Sequence, residues 1–207
     1  MQTLDENLKA YIESYILPKY SSENSGHGLQ HIQYVIRRAL DFAKKERVNP
    51  NLLYAAAAFH DLGHTENPKI HEILSAKLFL QDAFMQKYFQ KEEQRIIAQA
   101  IEDHRASNPY LPRSIYGKIL STADRSTDVD DFLRRTHVYS VLHNPELSFK
   151  EHAKRAYAHM VDKYGKTGYA KTFLYDAEYN AFKNEIDTMI SDENKFFETY
   201  AALNLKE

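Results

Sequence analysis

A histidine and an aspartate stand side by side at the end of the apolar stretch LLYAAAAFHDLGH, residues 52–64. Leu53, Ala56, Ala57 and His60 recur at helical spacing, which puts His60 on the face to be buried. Asp61 falls one step round, behind Tyr54, Ala57 and Ala58, which is also apolar. An imidazole and a carboxylate in an alanine-rich interior are costly unless something pairs with them. Neighbouring helical positions diverge by about 100°, so the two are not expected to satisfy each other. A cation between them satisfies both. Four further ionisable groups share this property. His31 lies on a face with Val35 and Phe42, and His71 precedes Leu74 and Leu78 at i+3 and i+7. His104 follows Ile97, Ala100 and Ile101, and Asp124 follows Leu120 at i+4. Taken singly, a core histidine is usually hydrogen-bonded to a carbonyl, and a lone aspartate is usually a cap or an ion-pair partner. Taken together, the accidents have to coincide on five helices. The chain holds ten histidines and no cysteine, so any metal ligands are nitrogen and oxygen. Mixed imidazole and carboxylate sets suit Mn, Fe, Co, Ni or Zn, with Mg also admitted, better than Ca.

The elements that must position these groups read as helices throughout. A first helix spans about Leu4 to Leu17, with Leu8, Ile12, Tyr15 and Ile16 as its stripe, and Pro18 lies near its end. Ser21 to Gly28 is a polar, glycine-bearing loop. A second helix runs to about Arg47. Asn49-Pro50 restarts the chain as a cap followed by proline at the first helical position, and Gly63 ends the helix that carries His60. Further helices are expected at Ile70–Leu80, Lys91–His104, Ser114–Asp124 (continuing or re-forming to about Leu142), Ser148–Tyr164, Ala177–Ile190 and Glu193–Leu203. Ser148 and Glu151 have capping-box spacing. Residues 171–175 alone read ambiguously as strand. The expectation is one all-α domain over residues 1–207, with a metal-site core at about 26–135 and a C-terminal extension at about 143–207. The aromatic residues of that extension, Phe173, Tyr175, Tyr179, Phe182, Phe196, Phe197 and Tyr200, read as core.

Composition narrows the function classes. The net charge of −2 and the mixing of signs argue against a broad nucleic-acid surface. The absence of cysteine removes disulfides, iron–sulfur clusters and thiolate sites. No apolar run approaches the roughly 20 residues of a membrane span, and the acidic, amphipathic start does not fit a signal peptide. A cytoplasmic location is the expectation, with oligomeric state open.

The ligand order His31 … His60-Asp61 … Asp124 resembles the HD-domain superfamily of metal-dependent phosphohydrolases. GHGLQHIQYV is similar to the segment with that family's first histidine. AAAAFHDLGH resembles its His-Asp signature, and ILSTADR resembles the segment bearing its last aspartate. The resemblance implies an HD-type helical bundle in which His31, His60, Asp61 and Asp124 form the minimal metal site. Members with two metals carry two more histidines between the His-Asp pair and the last aspartate. His71 and His104 stand in that order, which implies two ions with Asp61 bridging them. The long separation between these histidines keeps a single ion as the alternative. His64 stands where the family often has lysine, and a histidine there can donate a proton or contact phosphate.

The implied substrate is a small phosphorylated metabolite, a nucleotide at the level of the family. Arg105 and Arg125 each directly follow a ligand, Lys69 lies in the loop after His64, and Arg113 and Lys118 flank the start of the Asp124 helix. These cations, with His27 one turn before His31, are the expected substrate contacts. His137, His143, His152 and His159 have no partner pattern and read as surface or packing. Two other readings stay open: a di-iron oxygenase, which some proteins with this six-ligand order are, and a non-catalytic, metal-stabilised module that binds a nucleotide or a protein partner.

Overall fold

The computed structural model describes residues 2–20 and 27–205, and so the expected loop at 21–26 lies outside the described residues. The described residues contain eleven α-helices and no strand. Residues 171–175 are irregular, which resolves their ambiguity. No described helix is long and apolar enough to cross a membrane. The chain divides into two compact units, each with its own core. The division falls at Asp124/Arg125, so residues 125–135, expected with the metal-site core, go with the second unit.

The first unit comprises residues 2–20, 27–124 and 172–174. α1 (Glu6–Tyr11) is capped by Asp5, whose side chain accepts from the N–H groups of Asn7 and Leu8. It passes into a π-helical turn, Ile12–Ile16, and a 3₁₀ turn, Leu17–Lys19. The wider turn rotates Tyr15 out of the expected stripe; it is 63% exposed and stacks on Tyr11, while Leu8, Ile12 and Ile16 are fully buried. α2 (Leu29–Glu46) ends with Arg47 in the left-handed conformation. α3 (Pro50–Phe59) starts at the Asn49 cap and has proline in its first turn. Every residue from Leu52 to Phe59 is buried, as a helix with apolar groups all round requires. It is the central rod, packed by α2, α4 (His71–Gln81), α6 (Lys91–Asp103) and α7 (Ile115–Ala123). α5 (Ala83–Tyr88) is short and capped by Asp82. Gln90 and Glu93 form the capping box of α6.

α4 departs from expectation. Its buried face is His71, Glu72, Ser75, Ala76 and Phe79, whereas Leu78 is 38% exposed. The cause is Gly63. A Cβ there would lie 2.6 Å from the Leu74 Cβ, 2.8 Å from the His71 carbonyl oxygen and 2.9 Å from the Ser75 nitrogen. The turn after α3 therefore touches the backbone of α4, and small or polar groups must face it. Ser75 Oγ accepts the Gly63 N–H at 2.9 Å.

The second unit comprises residues 125–171 and 175–205. It holds α8 (Val129–His143), α9 (Phe149–Tyr164), α10 (Ala177–Ser191) and α11 (Glu193–Ala202). Helix Ser114–Asp124 therefore stops, and α8 re-forms after its Asp128 cap. The Ser148–Glu151 capping box is present. Tyr179, Phe182, Phe196 and Tyr200 are core as expected, but Tyr175, next to the irregular stretch, is 81% exposed. His137 and His152 are buried packing groups; His137 Nδ1 pairs with the Tyr200 hydroxyl at 2.5 Å and His152 Nδ1 with Ser140 Oγ at 2.7 Å.

Candidate metal centre

α3 ends at Phe59, one residue before its histidine. His60 caps it and Asp61 begins a series of turns. The adjacent pair converges, contrary to the expectation from diverging helical positions: His60 Nε2 and Asp61 Oδ2 are 3.3 Å apart. Around them the fold gathers all six expected ligands. His31, from the first turn of α2, places Nε2 at 3.6 Å from Asp61 Oδ2 and 3.1 Å from Asp124 Oδ1. Asp124, which caps the end of α7, also lies 3.7 Å from His60 Nε2. His71, the first residue of α4, and His104, the cap of α6, place their Nε2 atoms 3.4 and 3.5 Å from Asp61 Oδ1. The two oxygens of Asp61 thus face two sides: Oδ2 toward His31 and His60, Oδ1 toward His71 and His104.

The tautomers follow from the backbone. Nδ1 of His60, His71 and His104 donates to the carbonyl three residues earlier, of Ala57 at 2.8 Å, Pro68 at 3.0 Å and Ile101 at 2.5 Å. A carbonyl only accepts, so each Nδ1 carries the proton and each Nε2 presents a lone pair. His71 Nε2 and His104 Nε2 then face each other at 3.2 Å. Two lone pairs at that distance repel unless a cation or an added proton lies between them. His60 Nε2 and Asp61 Oδ1 are likewise buried with no hydrogen bond. Histidines with Nδ1 tied to backbone and Nε2 converging on carboxylates are the arrangement that holds metals. Three overlapping sets, His31–His60–Asp124, His60–Asp61–His104 and His27–His31–Asp61, bring their ligand atoms within 4.8 Å of one another. The residues fit a divalent metal.

The electrostatics agree. Burial alone would raise the Asp61 carboxyl, yet His60 and His27 hold it well below the usual range. Burial opposes Asp124 in the same way, and His31 and His60 hold it down. Burial works against a charged His60, and the two carboxylates override it and raise its pKa. Without a cation, protons on the histidines supply the positive charge. Burial, with His104 beside it, lowers His71.

His27 and His64 form the edge of the cluster. Their rings stack at 3.7 Å, and His27 Nδ1 is 2.7 Å from Asp61 Oδ2. Burial, then the neighbouring histidines, push His64 down to about 4. His64 also lies 5.3 Å from His71, ring to ring.

The expected cationic contacts are differently placed. Arg105 is tied to the buried Glu72 at 2.9 Å, to Ser107 Oγ at 3.0 Å and to the Lys69 carbonyl. Glu72 Oε2 lies 3.5 Å from His71 Nδ1, so Arg105 borders the ligands through that carboxylate. Lys69 itself is exposed. Arg113 folds onto Asp103 at 2.8 Å and Glu102 at 2.5 Å, fastening the proline-bearing loop to α6. Lys118 is exposed on α7. Arg125 is buried in the second unit, where its Nε donates to the Lys171 carbonyl at 3.1 Å. Glu72 and Arg38 were missed by sequence reasoning. For Arg38 the signal was an arginine seven residues after His31, on the face of Val35 and Phe42.

Comparison with known proteins agrees with this geometry. Residues 28–127 match the family model of the HD domain. No curated protein matches the chain. The fold is similar to the crystal structure of a Lactobacillus plantarum protein solved as a structural-genomics target. The two are 26% identical, with a TM-score of 0.64, over 97% of this chain and 100% of that one.

Proposed function

We propose, from the premise that residues 28–127 of this chain are an HD domain, that the protein is a metal-dependent phosphohydrolase acting on a small phosphorylated metabolite, with a nucleotide as the substrate class. The observation that carries the reading is the convergence of His31, His60, Asp61, His71, His104 and Asp124 with their Nε2 atoms and carboxylate oxygens turned inward. His31, His60, Asp61 and Asp124 would hold one ion, and Asp61, His71 and His104 a second, with Asp61 shared. Divalent cations in such a site lower the pKa of water toward neutrality and neutralise charge on phosphoryl oxygens.

The remaining work falls to side chains of this chain. His27 braces Asp61 through Oδ2, which fixes the carboxylate both ion positions need. His64, neutral at physiological pH, offers one N–H and one lone pair beside the ligands. It can donate a hydrogen bond to a phosphoryl oxygen. Arg105 and Lys69, joined at the Lys69 carbonyl, provide positive charge on the His71 side.

The test is elemental analysis of the purified protein, followed by assays of phosphate and pyrophosphate release from nucleoside mono-, di- and triphosphates with Mn²⁺, Co²⁺ or Ni²⁺. Metal-dependent release, abolished by Asp61→Ala, supports the proposal. Bound iron with oxygen uptake and no phosphate release would move the assignment to a di-iron oxygenase. Bound metal with neither activity would leave the non-catalytic module.

A further inference from the structure

Arg38 is 3% exposed, in the middle of the helix that carries His31. Its guanidinium lies over the rings of Tyr34, at 5.3 Å, and Phe42, at 5.9 Å, one helical turn to either side. Its NH1 donates to the carbonyls of Thr122, at 3.1 Å, and Ala123, at 2.7 Å. Those carbonyls close α7, where helical oxygens lose their intrahelical partners and the helix dipole leaves negative charge. The next residue is Asp124. The same turn is gripped from another side, where Thr122 Oγ1 accepts the Phe173 N–H at 3.1 Å.

We propose that Arg38 is a positioning residue for the metal ligand Asp124. It fastens the end of α7 to α2, and so sets the 3.1 Å separation between Asp124 Oδ1 and His31 Nε2. Arginine suits the place because one planar group bonds two carbonyls while its faces meet two rings. Lysine offers a point charge without that plane. The inference rests on the reading that the cluster holds a divalent cation. It assigns Arg38 to the ion of His31, His60 and Asp124, and not to the ion of His71 and His104.

The experiment titrates metal-stripped protein with Mn²⁺ and Co²⁺ by calorimetry, following the Co²⁺ visible absorption band and helical circular dichroism alongside. Wild type, Arg38→Met, Arg38→Lys and the double variant His71→Ala/His104→Ala are compared, the last with and without Arg38→Met. Arg38→Met is expected to stay helical and to bind the His31-side ion about 10–100-fold more weakly, as lost outer support of a metal ligand does. Arg38→Lys is expected to fall between the two. In the double variant, where that ion is the one left, adding Arg38→Met should remove most binding. A lowered unfolding temperature with cation affinity within about twofold of wild type would overturn the proposal and leave Arg38 a packing residue. If Arg38→Met does not fold, the same comparison in Arg38→Lys decides. A wild type that binds neither cation would instead overturn the metal reading itself.

Discussion

Asp61 is the residue on which the cluster turns, because its two oxygens face different pairs of histidines. Asp61→Asn keeps the shape but replaces one acceptor oxygen with a donor. It is expected to cost more metal than loss of any single histidine, read by elemental analysis of the variants side by side; retention of full metal content would remove Asp61 from the centre. That these six side chains would converge was legible in the sequence, since each candidate ligand is an ionisable group on an apolar face. What was not legible is where the other charges point. Arg105, Arg113 and Arg125 were placed by their neighbours in sequence, but an arginine reaches far enough to be claimed by whatever carboxylate or carbonyl the fold presents, here Glu72, Asp103 and the Lys171 backbone. A residue away from the centre gives a pH prediction. The Tyr11 hydroxyl donates to Asp82 Oδ2 at 2.8 Å, and burial together with that carboxylate pushes its pKa up to about 12. The folded value lies above the unfolded one, near 10. The stabilisation is therefore complete below pH 10 and is lost as pH rises from 10 toward 12. Denaturant unfolding across that window should fall less steeply with pH in Tyr11→Phe than in wild type; equal slopes would show that the contact does not hold the proton.

At the scale of elements, the site is built from helix ends. His60, His104 and Asp124 are the caps of α3, α6 and α7, and His71 opens α4. Periodicity locates helices well, and the Asn49 cap and proline that open α3 and the capping box of α9 were readable directly, whereas α3 ends at Phe59 and not at Gly63. Periodicity does not reveal a switch to π-helical winding, which is why Tyr15 was misplaced, nor a close backbone approach, which is why the buried face of α4 was read one residue off. Gly63 is the residue that permits that approach. Gly63→Ala should force the turn away from α4, destabilising the protein by about 1–3 kcal/mol and loosening His71 relative to Asp61. Chemical denaturation and metal titration of the variant check both. A variant with native stability would mean that the turn and α4 separate without cost. Ser148→Ala is the contrasting case: it removes the capping box of α9 in the second unit, and should cost roughly 1 kcal/mol with metal affinity unchanged in the same titration.

At the scale of the molecule, each unit has a core of its own among the described residues, and all six candidate ligands belong to the first unit. A cation present at 100 times its dissociation constant stabilises the state that binds it by about 2.7 kcal/mol. Hydrogen exchange followed by mass spectrometry should therefore show added protection on metal loading in α2, α3, α4, α6 and α7, and little in α8 to α11. Equal protection throughout would mean that the units unfold as one. The sequence suggested a core followed by an extension but could not show that residues 172–174 return to the first unit, because Thr172, Phe173 and Leu174 carry no pattern of their own. That return has a consequence for the order in which the chain is made. Asp124, the last of the six candidate ligands, leaves the ribosome 49 residues before Phe173, whose N–H braces the turn preceding it. At about 5–20 residues per second the nascent chain spends several seconds with its full ligand set synthesised and its last brace still to come. In that interval Arg38 alone of the two ties can hold the end of α7, and whichever cation is at hand meets a site that has not yet set.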